Sequence, residues 1–88
     1  MKKKIELANG FKCSIDENVL DDMYFVDLLA DADEKPYLLG RLAEKLFGKE
    51  QKDKLYKHLE TKDGRVPPTA LSDAIEEAFN KLGEEEKN

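Results

Sequence analysis

The sequence predicts a mainly α fold, an N-terminal β-hairpin followed by a four-helix bundle-like domain. Three observations carry this. Two short segments of alternating character flank Asn9-Gly10. Four segments with apolar residues at helical spacing follow. Pro36, Gly48 and Pro67-Pro68 punctuate those segments. With 88 residues the chain is one domain, predicted over residues 1–83, with residues 84–88 as a flexible charged tail.

Lys3-Lys4-Ile5-Glu6-Leu7 and Phe11-Lys12-Cys13-Ser14-Ile15 each alternate polar and apolar residues. Period-two alternation marks a strand with one buried face. Asn9-Gly10 is a strong hairpin signal, because both residues tolerate positive φ. The hairpin is predicted over residues 3–15, with Ile5, Leu7, Phe11, Cys13 and Ile15 on one face. Ala8 suits either the turn or the first strand. Two strands alone are not stable, so that face packs on the helices.

Asp16 or Asn18 can cap the first helix, predicted over about residues 17–32. Val19, Met23, Val26 and Ala30 form one stripe at helical spacing. Tyr24, Phe25 and Leu28 form a second apolar group on the other side. An amphipathic surface helix needs only one stripe. Either another element covers the second group or a partner does. The second helix is predicted over about residues 36–47. Pro36 fits its first turn, and Leu38, Leu39, Leu42, Ala43 and Leu46 make its stripe. Gly48 ends it in a position that favours left-handed geometry. The third helix, about residues 49–60, has only Leu55, Tyr56 and Leu59 as apolar residues and is mostly solvated. Thr61 to Gly64 is a turn. Pro67-Pro68 lead into the fourth helix, about residues 67–82. Leu71, Ala74, Ile75, Ala78, Phe79 and Leu82 make its stripe, and Gly83 closes it.

The net charge is −5, and its placement says more than its sum. Asp16 to Glu34 holds eight acidic residues and no basic one. Lys35 to Arg65 holds nine basic and five acidic residues. Val66 to Asn88 holds six acidic and two basic residues. Phosphate neutralisation dominates nucleic-acid affinity, so nucleic acid is not an expected partner. Acidic and basic helices attract one another, within the molecule or between copies, or steer one partner. No apolar stretch approaches the ~18 residues of a membrane span, and Ile5 to Leu7 is too short for a signal-peptide core. A lone Cys13 excludes an intrachain disulfide and fits a reducing compartment. A soluble cytoplasmic protein is the expectation.

No constellation for chemistry emerges. One histidine and one cysteine cannot supply a structural zinc site. His58 sits among Lys54, Lys57 and Lys62 and reads as a solvated surface residue. Asp31-x-Asp33 is like the start of a calcium loop, but Pro36 stands where that loop needs glycine, and no glutamate closes it. There is no glycine-rich phosphate loop. An acyl carrier would need an Asp-Ser-Leu motif, and Leu71-Ser72-Asp73 has a different order. No catalytic residue, metal or cofactor is assigned.

Four segments then carry a family resemblance. They are Leu7-Ala8-Asn9-Gly10-Phe11, Ile15-Asp16-Glu17-Asn18, Leu46-Phe47-Gly48-Lys49-Glu50-Gln51 and Asp63-Gly64-Arg65-Val66-Pro67. In this order and spacing the chain resembles the tail assembly chaperones of long-tailed phages and prophages of Gram-positive bacteria. The resemblance implies a non-enzymatic protein that binds the tape measure protein and keeps it soluble. It implies help to the tail tube protein as it polymerises, through a longer form made by ribosomal frameshifting. It also implies self-association into a homo-oligomer, action in the host cytoplasm and absence from the mature virion. Glu86-Lys87-Asn88 can be encoded by a slippery A-AAA-AAY heptamer.

A holder of a long helix needs apolar surface rimmed by charge. Tyr24, Phe25 and Leu28, with Tyr37 and Tyr56, are the candidate partner-binding residues. The alternative is a small acidic protein-interaction or regulatory module of phage or bacterial origin.

Overall fold

The computed structural model describes residues 2–86. Strands β1 (Lys2–Glu6) and β2 (Lys12–Asp16) pair antiparallel, with Ile5 opposite Cys13 and Lys3 opposite Ile15. Four helices follow: α1 (Met23–Glu34), α2 (Leu39–Phe47), α3 (Lys49–Leu59) and α4 (Pro68–Glu86). The fold is mainly α, with a hairpin ahead of a helical bundle.

The hairpin turn differs from a two-residue Asn-Gly turn. Leu7 N–H donates to Phe11 O at 2.8 Å, and Gly10 N–H donates to Leu7 O at 2.9 Å. The loop is therefore Ala8-Asn9-Gly10, a type I turn closed by a left-handed residue. Within this loop only Gly10 has positive φ, at 92°. Asn9 contributes its side chain instead, accepting the Phe11 N–H at 2.8 Å. Ile5, Leu7, Phe11, Cys13 and Ile15 are all buried.

The first predicted helix is broken in two. Glu17–Asp21 is a single 3-10 segment, capped by the Asp16 carboxylate on Asn18 N–H. Asp22 is extended (φ −111°, ψ 112°), and its carboxylate accepts the Tyr24 N–H at 2.9 Å to start α1. The break resets the helical phase. Val19 stays buried, but Met23, Val26 and Ala30 turn to solvent. Phe25 and Ala32 are buried, with Leu28 and Leu29 packed against the core.

A second 3-10 segment, Pro36–Leu38, precedes α2. Helix α2 is the hub of the bundle. It packs against α1, α3, α4 and β2, and it buries Leu42, Ala43, Leu46 and Phe47. Gly48 joins α2 to α3 with φ 84° and ψ 156°. Its N–H donates to Glu44 O at 2.8 Å, and its own carbonyl accepts from Lys52 N–H at 2.9 Å. One glycine thus serves both helix ends in a conformation that other residues adopt only under strain.

Helix α3 reaches back to the hairpin. Gln51 Oε1 accepts the Ser14 N–H at 2.7 Å, and Gln51 Nε2 donates to Ser14 O at 2.6 Å and Phe47 O at 2.7 Å. The amide occupies the outer edge of β2 as a neighbouring strand would. Thr61 N–H bonds Arg65 O at 2.8 Å, with Gly64 at φ 80°, and this turn leads to α4. Helix α4 does not stop at Gly83. It continues to Glu86, because glutamates are good helix formers and one interior glycine costs only about 1 kcal/mol. The predicted tail is helical over residues 84–86; Lys87 and Asn88 lie outside the described residues.

Candidate functional site

Helix α1 carries the apolar surface that its own fold leaves open. Met23 is 64% exposed, Tyr24 81% and Val26 40%. Between Asp21 and Glu34 the chain has six acidic residues and no basic one. Asp22 pairs with Lys45 of α2 at 3.2 Å. Its carboxyl titrates below the ordinary value, held by the Tyr24 N–H first and the Lys45 ammonium second. Among the described residues, Asp27, Asp31, Asp33 and Glu34 pair with no cation. The basic middle segment satisfies much of itself instead. Lys49 bonds Asp53, Lys54 bonds Glu50, Lys57 bonds Glu60 and Lys52 bonds Glu44. The Glu44 carboxylate holds the Lys52 pKa above its ordinary value.

The five residues expected at a partner surface do not form one surface. Tyr24 and Tyr37 are exposed, at 81% and 79%. Phe25 is the correction. It is fully buried, and its ring stacks on Phe79 with centroids 6.2 Å apart. The Asp22 break rotates it inward, so it is a core residue and offers nothing to a partner. Leu28 is half-buried beside Arg41, Glu44, Lys45 and Lys52. Tyr56 is half-buried under Lys52, whose ammonium lies 5.5 Å from the ring centroid. Its hydroxyl approaches Gly40, where a Cβ would sit only 3.1 Å away.

Sequence reasoning missed a groove beside that face. Helix α1 forms one wall with Leu29, Ala32 and Asp33, and α4 forms the other with Ile75, Glu76 and Phe79. Leu39 and Leu42 of α2 also line it. Its volume is about 260 Å³. Pro36 and Leu39 also line a second cleft with Tyr56, Val66, Pro68 and Leu71. The apolar surface therefore continues around the Pro36–Leu38 segment, from which Tyr37 projects. Phe25, Leu28, Leu29 and Ala32 stand at i, i+3, i+4 and i+7, the spacing of a core stripe. Reading that stripe as the inner one would have exposed the groove wall.

Other reactive side chains are in structural roles. The Cys13 thiol is buried, and burial pushes its pKa up, so it stays protonated and unreactive near neutral pH. His58 is exposed, but Nε2 donates to Asn9 O at 2.8 Å and its ring lies 5.6 Å from Phe11. It pins the hairpin turn to α3. Among the described residues there is no group of three or more histidine, cysteine or acidic side chains that could hold a metal ion, and no buried polar side chain. No helix among them is long and apolar enough to cross a membrane.

With the geometry in hand, comparison gives no relative: no protein-family model, no curated protein and no solved structure matches this chain.

Proposed function

We propose that this chain is a tail assembly chaperone of a long-tailed phage or prophage, a non-catalytic protein that holds the tape measure protein soluble. The observation that carries the reading is the apolar face of α1, exposed at Met23, Tyr24 and Val26 and bordered by Asp27, Asp31, Asp33 and Glu34, which pair with no cation among the described residues. Exposed apolar area of this kind, rimmed by polar residues, marks interaction surfaces. The four segments of the resemblance also lie at the joints of the fold. They are the hairpin loop, the Asp16 cap, the Gly48 joint with its Gln51 clamp, and the turn before α4. Contact with the tail tube protein, through a frameshifted longer form, self-association and action in the host cytoplasm belong to the same proposal.

Co-expression with the tape measure protein tests it. The expected result is a soluble complex that co-purifies. Met23→Glu combined with Tyr24→Glu should abolish the complex and leave the fold intact, because both side chains are exposed. A tape measure protein that stays insoluble, or a complex indifferent to this double variant, overturns the reading. The acidic excess of α1 also suits a small interaction or regulatory module. Neighbouring genes separate the two, since a tail tube gene and a very long tape measure gene on either side belong only to the chaperone.

A further inference from the structure

We propose that the groove between α1 and α4 seats the apolar seam of a basic amphipathic helix from another protein, with Asp33 and Glu76 pairing to its lysine or arginine rim. This deepens the reading of the chain as a protein-binding module and rests on it, but not on the phage assignment.

The groove has the shape for side-chain anchors. At about 260 Å³ it lies just below the ~300–1,000 Å³ of small-molecule sites. Leu29, Leu39, Ile75 and Phe79 give it apolar walls and floor. Val26 extends the α1 wall outward, since Val26, Leu29 and Asp33 stand at i, i+3 and i+7 and share a flank. Helix-in-groove recognition uses such anchors at i, i+3, i+4 and i+7. Helix α1 has 12 residues, or roughly 18 Å at 1.5 Å per residue. That length accommodates about three turns of a partner helix.

Charge selects the occupant. Asp33 and Glu76 are exposed at the groove, one on each wall, and neither pairs with a cation among the described residues. Asp27, Asp31 and Glu34 add to the same field from α1. Two copies joined symmetrically through this groove would bring like charges together, which opposes a homodimer here. On a second copy, Lys35, Arg41, Lys62 and Arg65 pair with no acid among the described residues but stand on separate segments, and three more such cations group on the outer hairpin face. There Lys2, Lys4 and Lys12 are interleaved with Glu6, Ser14 and Asp16 and provide no apolar seam. A separate protein with a basic amphipathic helix satisfies both requirements.

The test is a nuclear magnetic resonance titration of the full chain with a synthetic helix of leucine and lysine, about 18 residues long. Its leucines recur at i, i+3, i+4 and i+7. A matched peptide of leucine and glutamate is the control. The methyl signals of Leu29, Leu39 and Ile75 should shift, and those of Ile5 and Ile15 should not. Asp33→Lys combined with Glu76→Lys should weaken the lysine peptide by about tenfold and admit the glutamate peptide, as reversing two rim charges predicts. Both positions are exposed, so an unchanged melting temperature confirms the fold. Absence of binding, binding indifferent to the reversal, shifts confined to the hairpin, or equal binding of both peptides to the unmodified chain overturns the proposal. Sedimentation showing the groove filled by a second copy does the same. If the tape measure complex forms and survives the reversal, the groove assignment fails and the chaperone reading stands. If the lysine peptide binds as expected but no tape measure complex forms, the chaperone reading fails and the groove stands.

Discussion

Phe25→Ala should destabilise the fold far more than the same change at Met23 or Tyr24, the two residues before it. The three residues are consecutive, so local helix propensity hardly separates them. Burial does. Phe25 has no exposed surface and stacks on Phe79 across the α1–α4 junction, whereas Met23 is 64% and Tyr24 81% exposed. Truncating a buried phenylalanine costs about 3–5 kcal/mol through lost transfer energy and the cavity left behind. A surface residue changes stability by about 0.5 kcal/mol or less. A chain of this size has roughly 4–13 kcal/mol in all, so the variant loses a large fraction of it. The melting temperature should fall by at least ~12 °C, at about 4 °C or more per kcal/mol for a domain of this length. Urea unfolding of the three variants, read at a shared slope, measures the contrast directly. Equal losses at Phe25 and Met23 would refute the phase assigned to α1, and with it the exposed face and the groove wall.

Two further outcomes follow from the joints of the fold. Gln51→Ala removes the clamp on Ser14 and should cost about 1–2 kcal/mol, taking net hydrogen bonds at about 0.5–1.5 kcal/mol each with water replacing part of them. Faster exchange of the Ser14 amide is the specific readout; Gln51→Glu, which loses both donor bonds to Ser14 O and Phe47 O, should behave no better. Asp22→Asn keeps a capping oxygen but loses the pair with Lys45. The Asp22 carboxyl is shifted downward on folding, so its stabilisation is complete above its unfolded pKa of about 3.8 and is lost as pH falls through the lower folded value. The Asn variant should therefore lose less stability than the parent between pH ~5 and pH ~2; urea midpoints that fall in parallel would contradict the assigned role.

Much of the fold was legible because its signals are local. The inner face of the hairpin follows from strict alternation, Gly48 from the abrupt restart of helical spacing, and α4 from six apolar residues in one stripe. The clamp of Gln51 on β2 was not legible. It joins residues 37 apart in sequence, and nothing in the local pattern of either segment requires it. The Gly83 stop failed for a different reason. Glycine permits a helix end without imposing one, and the following glutamates sustain the helix to Glu86.

The misassigned faces of α1 have a sharper lesson, because the sequence contains the discriminating signal. Apolar spacing alone allows two stripes, Val19-Met23-Val26-Ala30 or Phe25-Leu28-Leu29-Ala32, and the first looks better only if the helix is continuous through Asp22. Charge separates them. At about 100° per residue, Asp27, Asp31 and Glu34 fall beside Met23 and Ala30, and Asp33 falls beside Val26. The arc holding Leu28, Ala32, Phe25 and Leu29 has no acid in it. Four carboxylates cannot be buried without partners, so the stripe they border must face outward, whatever its hydrophobicity. The same reasoning links fold to function. A helix that keeps its acids in water while leaving Met23, Tyr24 and Val26 among them is poorly explained by the stability of its own domain, since the residues that hold α1 down lie on the opposite side. On the proposed reading, what the outer stripe adds is a surface whose apolar contacts are available to a partner and whose charges select a basic one.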